Sequence, residues 1–142
     1  MSRENSNMAG YSGTPLPKKL GIIDDAVFVV VDPPDGFDDT LGDYGDAVWQ
    51  KSLLAPLDVV VAFFTTRLKL NAAWPKLTKA AAPDGGVWVA WPKKSSGVPT
   101  DITENTLRED LLPTGWVDNK ILSFGDEVYG TRYVLRKALR PA

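Results

Sequence analysis

The sequence predicts a three-layer α/β sandwich, with a mostly parallel sheet and an antiparallel hairpin at its C-terminal end. Three observations carry that prediction. Residues 26–31, 58–65 and 87–91 are β-branched and aromatic runs without polar alternation, as expected of strands buried on both faces. The stretches between them carry helical spacing or helix-stop signals. The last part of the chain reads as two strands, 115–124 and 129–136, joined by the short turn Gly125-Asp126-Glu127-Val128.

Taken in order, residues 1–10 are polar and aperiodic and read as a disordered tail, leaving 11–142 as a single domain. Thr14 suits an N-cap, Pro15 the first helical position and Gly21 the stop of a helix of about two turns. Strand 26–31 ends at Asp32-Pro33-Pro34-Asp35-Gly36, where two prolines forbid further ladder pairing. Residues 37–46 suit a short helical turn over a loop, followed by a weak strand at 47–49. Helix 67–81 presents Leu70, Trp74, Leu77 and Ala81 as one apolar stripe, and Pro75 kinks or divides it. Pro83-Asp84-Gly85-Gly86 reads as a turn before strand 87–91. After the loop 92–100, Asp101 or Thr103 caps a helix running to about Leu112. The Thr103-x-x-Thr106 spacing lacks the reciprocal acid of a capping box. Trp74 and Trp88 belong to the core. Trp91, at a strand end, either packs or lines a pocket.

Composition excludes several chemistries. The 142 residues contain no Cys and no His, so disulfides, thiol nucleophiles, Ser-His-Asp triads and Cys/His zinc sites are ruled out. The net charge of −2 hides an asymmetry: residues 1–50 hold nine acids and three bases, residues 51–142 nine acids and thirteen bases. That balance argues against a dedicated nucleic-acid binder. The apolar run 59–64 is far shorter than the ~18 residues that span a bilayer. A polar start without a signal-peptide pattern makes the cytoplasm the expected compartment, with no membrane association. Six aspartates between Asp32 and Asp46 suit a solvated acidic face. Pro34 and Gly36 stand where a calcium loop needs ligands, so no metal is expected.

The order of elements resembles a trimmed class I methyltransferase-like Rossmann fold. Ala80-Ala81-Ala82-Pro83-Asp84-Gly85-Gly86-Val87-Trp88-Val89 is similar to the passage those enzymes use between a helix and a strand. Three further stretches resemble an uncharacterised bacterial family, domain of unknown function 3052: residues 11–21, 91–101 and 115–120. That likeness implies a fold and no activity. The cofactor loop departs from the methyltransferase pattern. Asp32-Pro33-Pro34-Asp35-Gly36-Phe37 offers one glycine where several should let backbone N–H groups approach the ligand, and two prolines remove donors. Trp49-Gln50-Lys51 stands where an acid should hold the ribose. No cofactor is therefore expected, and no tight binding of S-adenosylmethionine.

In an open α/β sheet, ligands settle outside the carboxyl ends of the strands. Those ends bring together Asp32 and Asp35, then Thr65, Thr66 and Arg67, then Lys93, Lys94, Ser95, Ser96 and Gly97. Three cations and four hydroxyls suit a small anionic ligand. Alternatively, Lys93 and Lys94 pair with Asp35, Asp38 or Asp39, or face water. No catalytic residue is assigned. The leading expectation is a non-catalytic protein that binds a small anion or a protein partner at this rim. A divergent methyltransferase-like transferase and a protein–protein interaction subunit are the alternatives.

Overall fold

Runs of β-branched residues form the middle of the sheet. The computed structural model describes residues 14–141, so the expected tail over residues 1–10 lies outside the described residues. Among the described residues six strands are formed: β1 (Val27–Val31), β2 (Val48–Trp49), β3 (Leu57–Phe63), β4 (Ala81–Pro92), β5 (Trp116–Ser123) and β6 (Val128–Leu135). They lie in the order β2-β1-β3-β4-β6-β5. β2, β1, β3 and β4 are mutually parallel, while β6 runs antiparallel to both β4 and β5. The three expected inner strands each have a neighbour on both sides.

Both faces of this sheet are covered, which is why its central strands show no polar alternation. Val60 and Ala62 of β3 pack with Leu70, Trp74 and Leu77 of α3 (Arg67–Ala80) and Leu107 and Leu111 of α4 (Glu104–Leu111). Val59 and Val61, pointing the other way, pack with Leu20 of α1 (Leu16–Leu20) and Phe37 and Leu41 of α2 (Phe37–Leu41). Trp88 and Trp74 are core residues as expected. The buried Trp88 indole N–H donates to the Leu20 carbonyl at 2.9 Å, tying β4 to the end of α1. Trp74 donates to Thr114 Oγ1 at 3.0 Å.

Four local expectations are corrected. The residue at the N-cap of α1 is Pro15, not Thr14, and the helix starts one residue later than expected. Helix α3 is neither divided at Pro75 nor extended to Ala81. Pro75 and Asn71 are both exposed, so the Asn71 carbonyl that loses its helical partner is left on the solvated side. The expected turn at residues 83–86 lies within β4. There Leu57 pairs with Ala81 and Val59 with Gly86, so residues 82–85 bulge out opposite Asp58 alone. A Cβ on Gly85 would stand 2.8 Å and 2.9 Å from the carbonyl oxygens of Asp58 and Leu57, so the bulge requires glycine there. Finally, α4 does carry a capping box. Thr106 N–H donates to Thr103 Oγ1 at 3.1 Å, and Thr103 N–H donates to Thr106 Oγ1 at 2.8 Å, a hydroxyl filling the place of the acid. Asp101 caps a different helix, accepting from Arg67 N–H at the start of α3 at 2.8 Å.

Candidate functional site

A cleft of about 900 Å³ opens where the carboxyl ends of β1, β3 and β4 meet. Strand β1 has β2 on one side and β3 on the other, so the chain reverses its direction of travel across the sheet at this point. The floor is apolar: Phe63 and Phe64 from the end of β3, Ala90 and Trp91 from the end of β4. One wall is α3, contributing Lys69, Ala72, Ala73 and Lys76. The opposite side is formed by Asp32 and Pro34, just beyond β1, and by Glu127 and Val128 of the C-terminal hairpin. Thr65, Ser96 and Val98 stand at the mouth. A smaller hollow of about 320 Å³ adjoins it between the proline loop and the hairpin tip, sharing Pro34, Phe63, Glu127 and Val128.

Of the ten residues the sequence brings to the rim, three line the main cleft: Asp32, Thr65 and Ser96. Asp35 lines the adjoining hollow. The other six line neither hollow. Lys93 turns toward the hairpin, donating to Ser123 Oγ at 2.6 Å and the Gly125 carbonyl at 2.9 Å, with its ammonium 4.9 Å from the Tyr129 ring centre. Arg67 makes two bonds to the Asp110 carboxylate, 2.9 Å and 2.7 Å, and locks α3 to α4. Those bonds hold the Asp110 carboxyl below the usual carboxylate range. Thr66 is the N-cap of α3, accepting from Lys69 N–H at 3.2 Å. Lys94 and Ser95 are exposed in a 3-10 turn, Lys94–Ser96, that Gly97 ends. Neither Lys93 nor Lys94 pairs with Asp35, Asp38 or Asp39. All six aspartates from Asp32 to Asp46 are exposed, as the solvated-face reading expects.

Sequence reasoning missed Lys69, Lys76 and Glu127. A signal for the lysines exists: positions 69, 72, 73 and 76 follow helical spacing and form a second face of α3, beside the core stripe. Asp32 has a feature that no spacing reveals, a φ of 53° in the left-handed region. Aspartate is one of the few non-glycine residues that adopts this region, and residues held there concentrate at functional loops. Trp91 both packs and lines the cleft: it is 5% exposed and its ring lies 5.5 Å from that of Tyr129.

No protein-family model matches the chain, and no curated protein matches it in sequence. Its fold, however, is similar to solved methyltransferases. A ribosomal protein L11 methylase from Lactobacillus delbrueckii subsp. bulgaricus aligns at TM-score 0.53 and 12% identity, over 94% of this chain and 86% of that one. A SAM-dependent methyltransferase from Aquifex aeolicus aligns at 0.52 and 15%, over 82% and 85%. Magnesium protoporphyrin IX methyltransferase from Synechocystis PCC 6803, solved with bound SAM, aligns at 0.51 and 13%, over 84% and 74%. These likenesses establish a methyltransferase-like Rossmann fold, with the mostly parallel sheet and antiparallel end that the sequence predicts. They overturn the expectation of a non-catalytic binder: these three proteins of the same architecture are methyltransferases.

One of these neighbours holds SAM, and among the described residues the groups that would grip such a donor in the usual way are missing. After β1, Pro33 and Pro34 offer no backbone N–H, and Phe37 N–H is spent on the Pro34 carbonyl at 3.2 Å. At the end of β2, Trp49 packs against Phe28 and Tyr44, with ring centres 5.4 Å and 5.9 Å apart. The Gln50 amide donates to the carbonyls of Ser52 and Leu54. Among the described residues no carboxylate follows β2 to hold a ribose, so a donor held by a glycine turn and a ribose acid does not fit this chain.

Proposed function

We propose that this protein is a divergent methyltransferase-like transferase whose transfer site is the cleft at the carboxyl ends of β1, β3 and β4. The observation that carries this reading is the position of Asp32. It is the first residue after β1, held in a left-handed conformation, and it faces a cleft at the place where this fold class binds ligands. There it can accept a hydrogen bond from the nucleophile of an acceptor molecule lying on the aromatic floor. The resemblance to domain of unknown function 3052 and the cytoplasmic location belong to the same proposal. Among the described residues, no helix is long and apolar enough to cross a membrane.

Calorimetry and methyl transfer with labelled S-adenosylmethionine test the reading together. Because the usual grip is missing, the expected dissociation constant is weaker than about 10 μM, near −7 kcal/mol, and Asp32→Asn should slow methyl transfer while leaving donor binding unchanged. Absence of saturable binding up to millimolar donor, together with no label transferred to any small nucleophile offered, would defeat the proposal.

A further inference from the structure

We propose that the acceptor taken by this cleft is an amphipathic organic anion. Its planar apolar body would lie on Phe63 and Trp91, and its acidic group would sit between Lys69 and Lys76. The inference rests on reading the cleft as the transfer site, and it adds the chemical class of the substrate.

Charge placement is the basis for it. Two of the other cations near the rim are already engaged, Lys93 with the hairpin and Arg67 with Asp110. Lys69 and Lys76 both line the cleft, and neither pairs with a carboxylate among the described residues. Seven residues apart on one helix, their backbones are separated by roughly 10 Å, which two flexible four-carbon stems can close around one anion. Ala72 and Ala73 between them keep that wall low, so the ammonium groups can reach inward over it. The acids of the cleft, Asp32 and Glu127, stand on the opposite side. An anion is repelled from that side and drawn to α3, which would orient the far end of the ligand toward Asp32. A neutral apolar molecule would fill the floor but leave both ammonium groups without a counter-charge. A volume of about 900 Å³ suits a body of two or three fused or linked rings.

Two fluorescent probes with the same ring system separate charge from apolar burial. One is 8-anilinonaphthalene-1-sulfonate, which carries a sulfonate; the other is N-phenyl-1-naphthylamine, which does not. With the full chain, Lys69→Glu and Lys76→Glu should each raise the dissociation constant of the sulfonate about tenfold, the loss of one charge-assisted contact. Each should leave the neutral probe within about twofold, because apolar burial is insensitive to charge. Lys79→Glu, an exposed change on the same helix outside the cleft, should alter neither. Lys69→Gln and Lys76→Gln repeat the test without charge reversal, and near-ultraviolet circular dichroism checks that each variant is folded. Failure of the sulfonate to bind the parent chain, an equal effect on both probes, or no effect of the lysines would overturn the inference. Methyl transfer with lysine-independent sulfonate binding would overturn this inference alone. Lysine-dependent binding with no methyl transfer would overturn the transferase reading alone, leaving an anion site.

Discussion

Gly85→Ala should destabilise the protein sharply, although it adds a single methyl group. The new Cβ would stand 2.8 Å, 2.9 Å and 3.1 Å from the carbonyl oxygens of Asp58, Leu57 and Ala82. All three obstacles are backbone, so no side chain can swing aside, and the bulge between β3 and β4 must open. Overpacking of this kind costs about 3 kcal/mol at its upper end. The methyl also restricts the unfolded chain, which returns about 0.4–1 kcal/mol. The net loss is therefore about 2 kcal/mol. At about 2.1 cal/mol/K per residue, the described residues 14–141 unfold with an entropy of about 0.27 kcal/mol/K. Differential scanning calorimetry should then show Tm falling by about 7 °C. Gly97→Asn serves as the control. Its φ of +76° tolerates Asn and nothing lies within 4 Å of the added atom, so Tm should stay within about 2 °C. A Gly85→Ala variant that melts within about 2 °C of the parent would refute the tight bulge.

Two other variants probe the same scaffold. The Tyr133 hydroxyl is buried and meets no hydrogen-bond partner among the described residues, and burial pushes its pKa upward. Tyr133→Phe should therefore raise stability by about 1 kcal/mol or more in urea titration; a loss of stability would show that the hydroxyl is bonded after all. Asp110 has its pKa depressed below 3.8 chiefly by the hydrogen bond from Arg67. Its contribution is thus present above the unfolded value and disappears as pH falls through the lower folded value. Asp110→Asn should flatten the acid limb of the stability profile below about pH 4, and an unchanged limb would rule the pair out as its source.

The sheet is legible in the sequence because its signal is collective. A run such as Val27 to Val31 has no polar residue to place in water, so only a strand covered on both faces can hold it. The hairpin is legible for a local reason, a turn of glycine and acids between two strand-forming runs. The site is harder to read. Spacing tells which loop a residue occupies, but not where a long side chain ends. Arg67 sits at the rim in sequence terms, and yet its guanidinium meets Asp110, 43 positions later. Lys93 likewise finds Ser123, which is 30 positions away. Lys69 and Lys76 are hidden because one apolar stripe already explains α3, and a helix seated beside a cleft has two working faces. Pro83 to Gly86 have the residue types of a turn without forming a separate one. The same conformations serve a bulge when the next residue rejoins the ladder.

The charge asymmetry of the sequence becomes a charge separation in space through one topological fact. Strands β1 and β3 are adjacent and parallel, so the segments that leave them arrive at the same rim. The segment leaving β1 belongs to the acidic part of the chain and begins at Asp32. The segment leaving β3 belongs to the basic part and passes through Thr65 into α3. Asp32 and the lysines of α3 therefore face each other across a cleft instead of alternating along one surface, and Glu127 of the hairpin adds its charge on the side of Asp32. Mutual neutralisation would erase that separation, and the local structure opposes it. Pro33 and Pro34 fix the backbone of the acidic loop. Phe37 buries its ring against Phe63, with centres 5.0 Å apart, anchoring the end of that loop on the face opposite α3. With the acids held on one side and the lysines carried by a helix locked to α4 through Asp110, the two walls stay apart. The cleft between them then keeps a field that a dipolar ligand would read along its length.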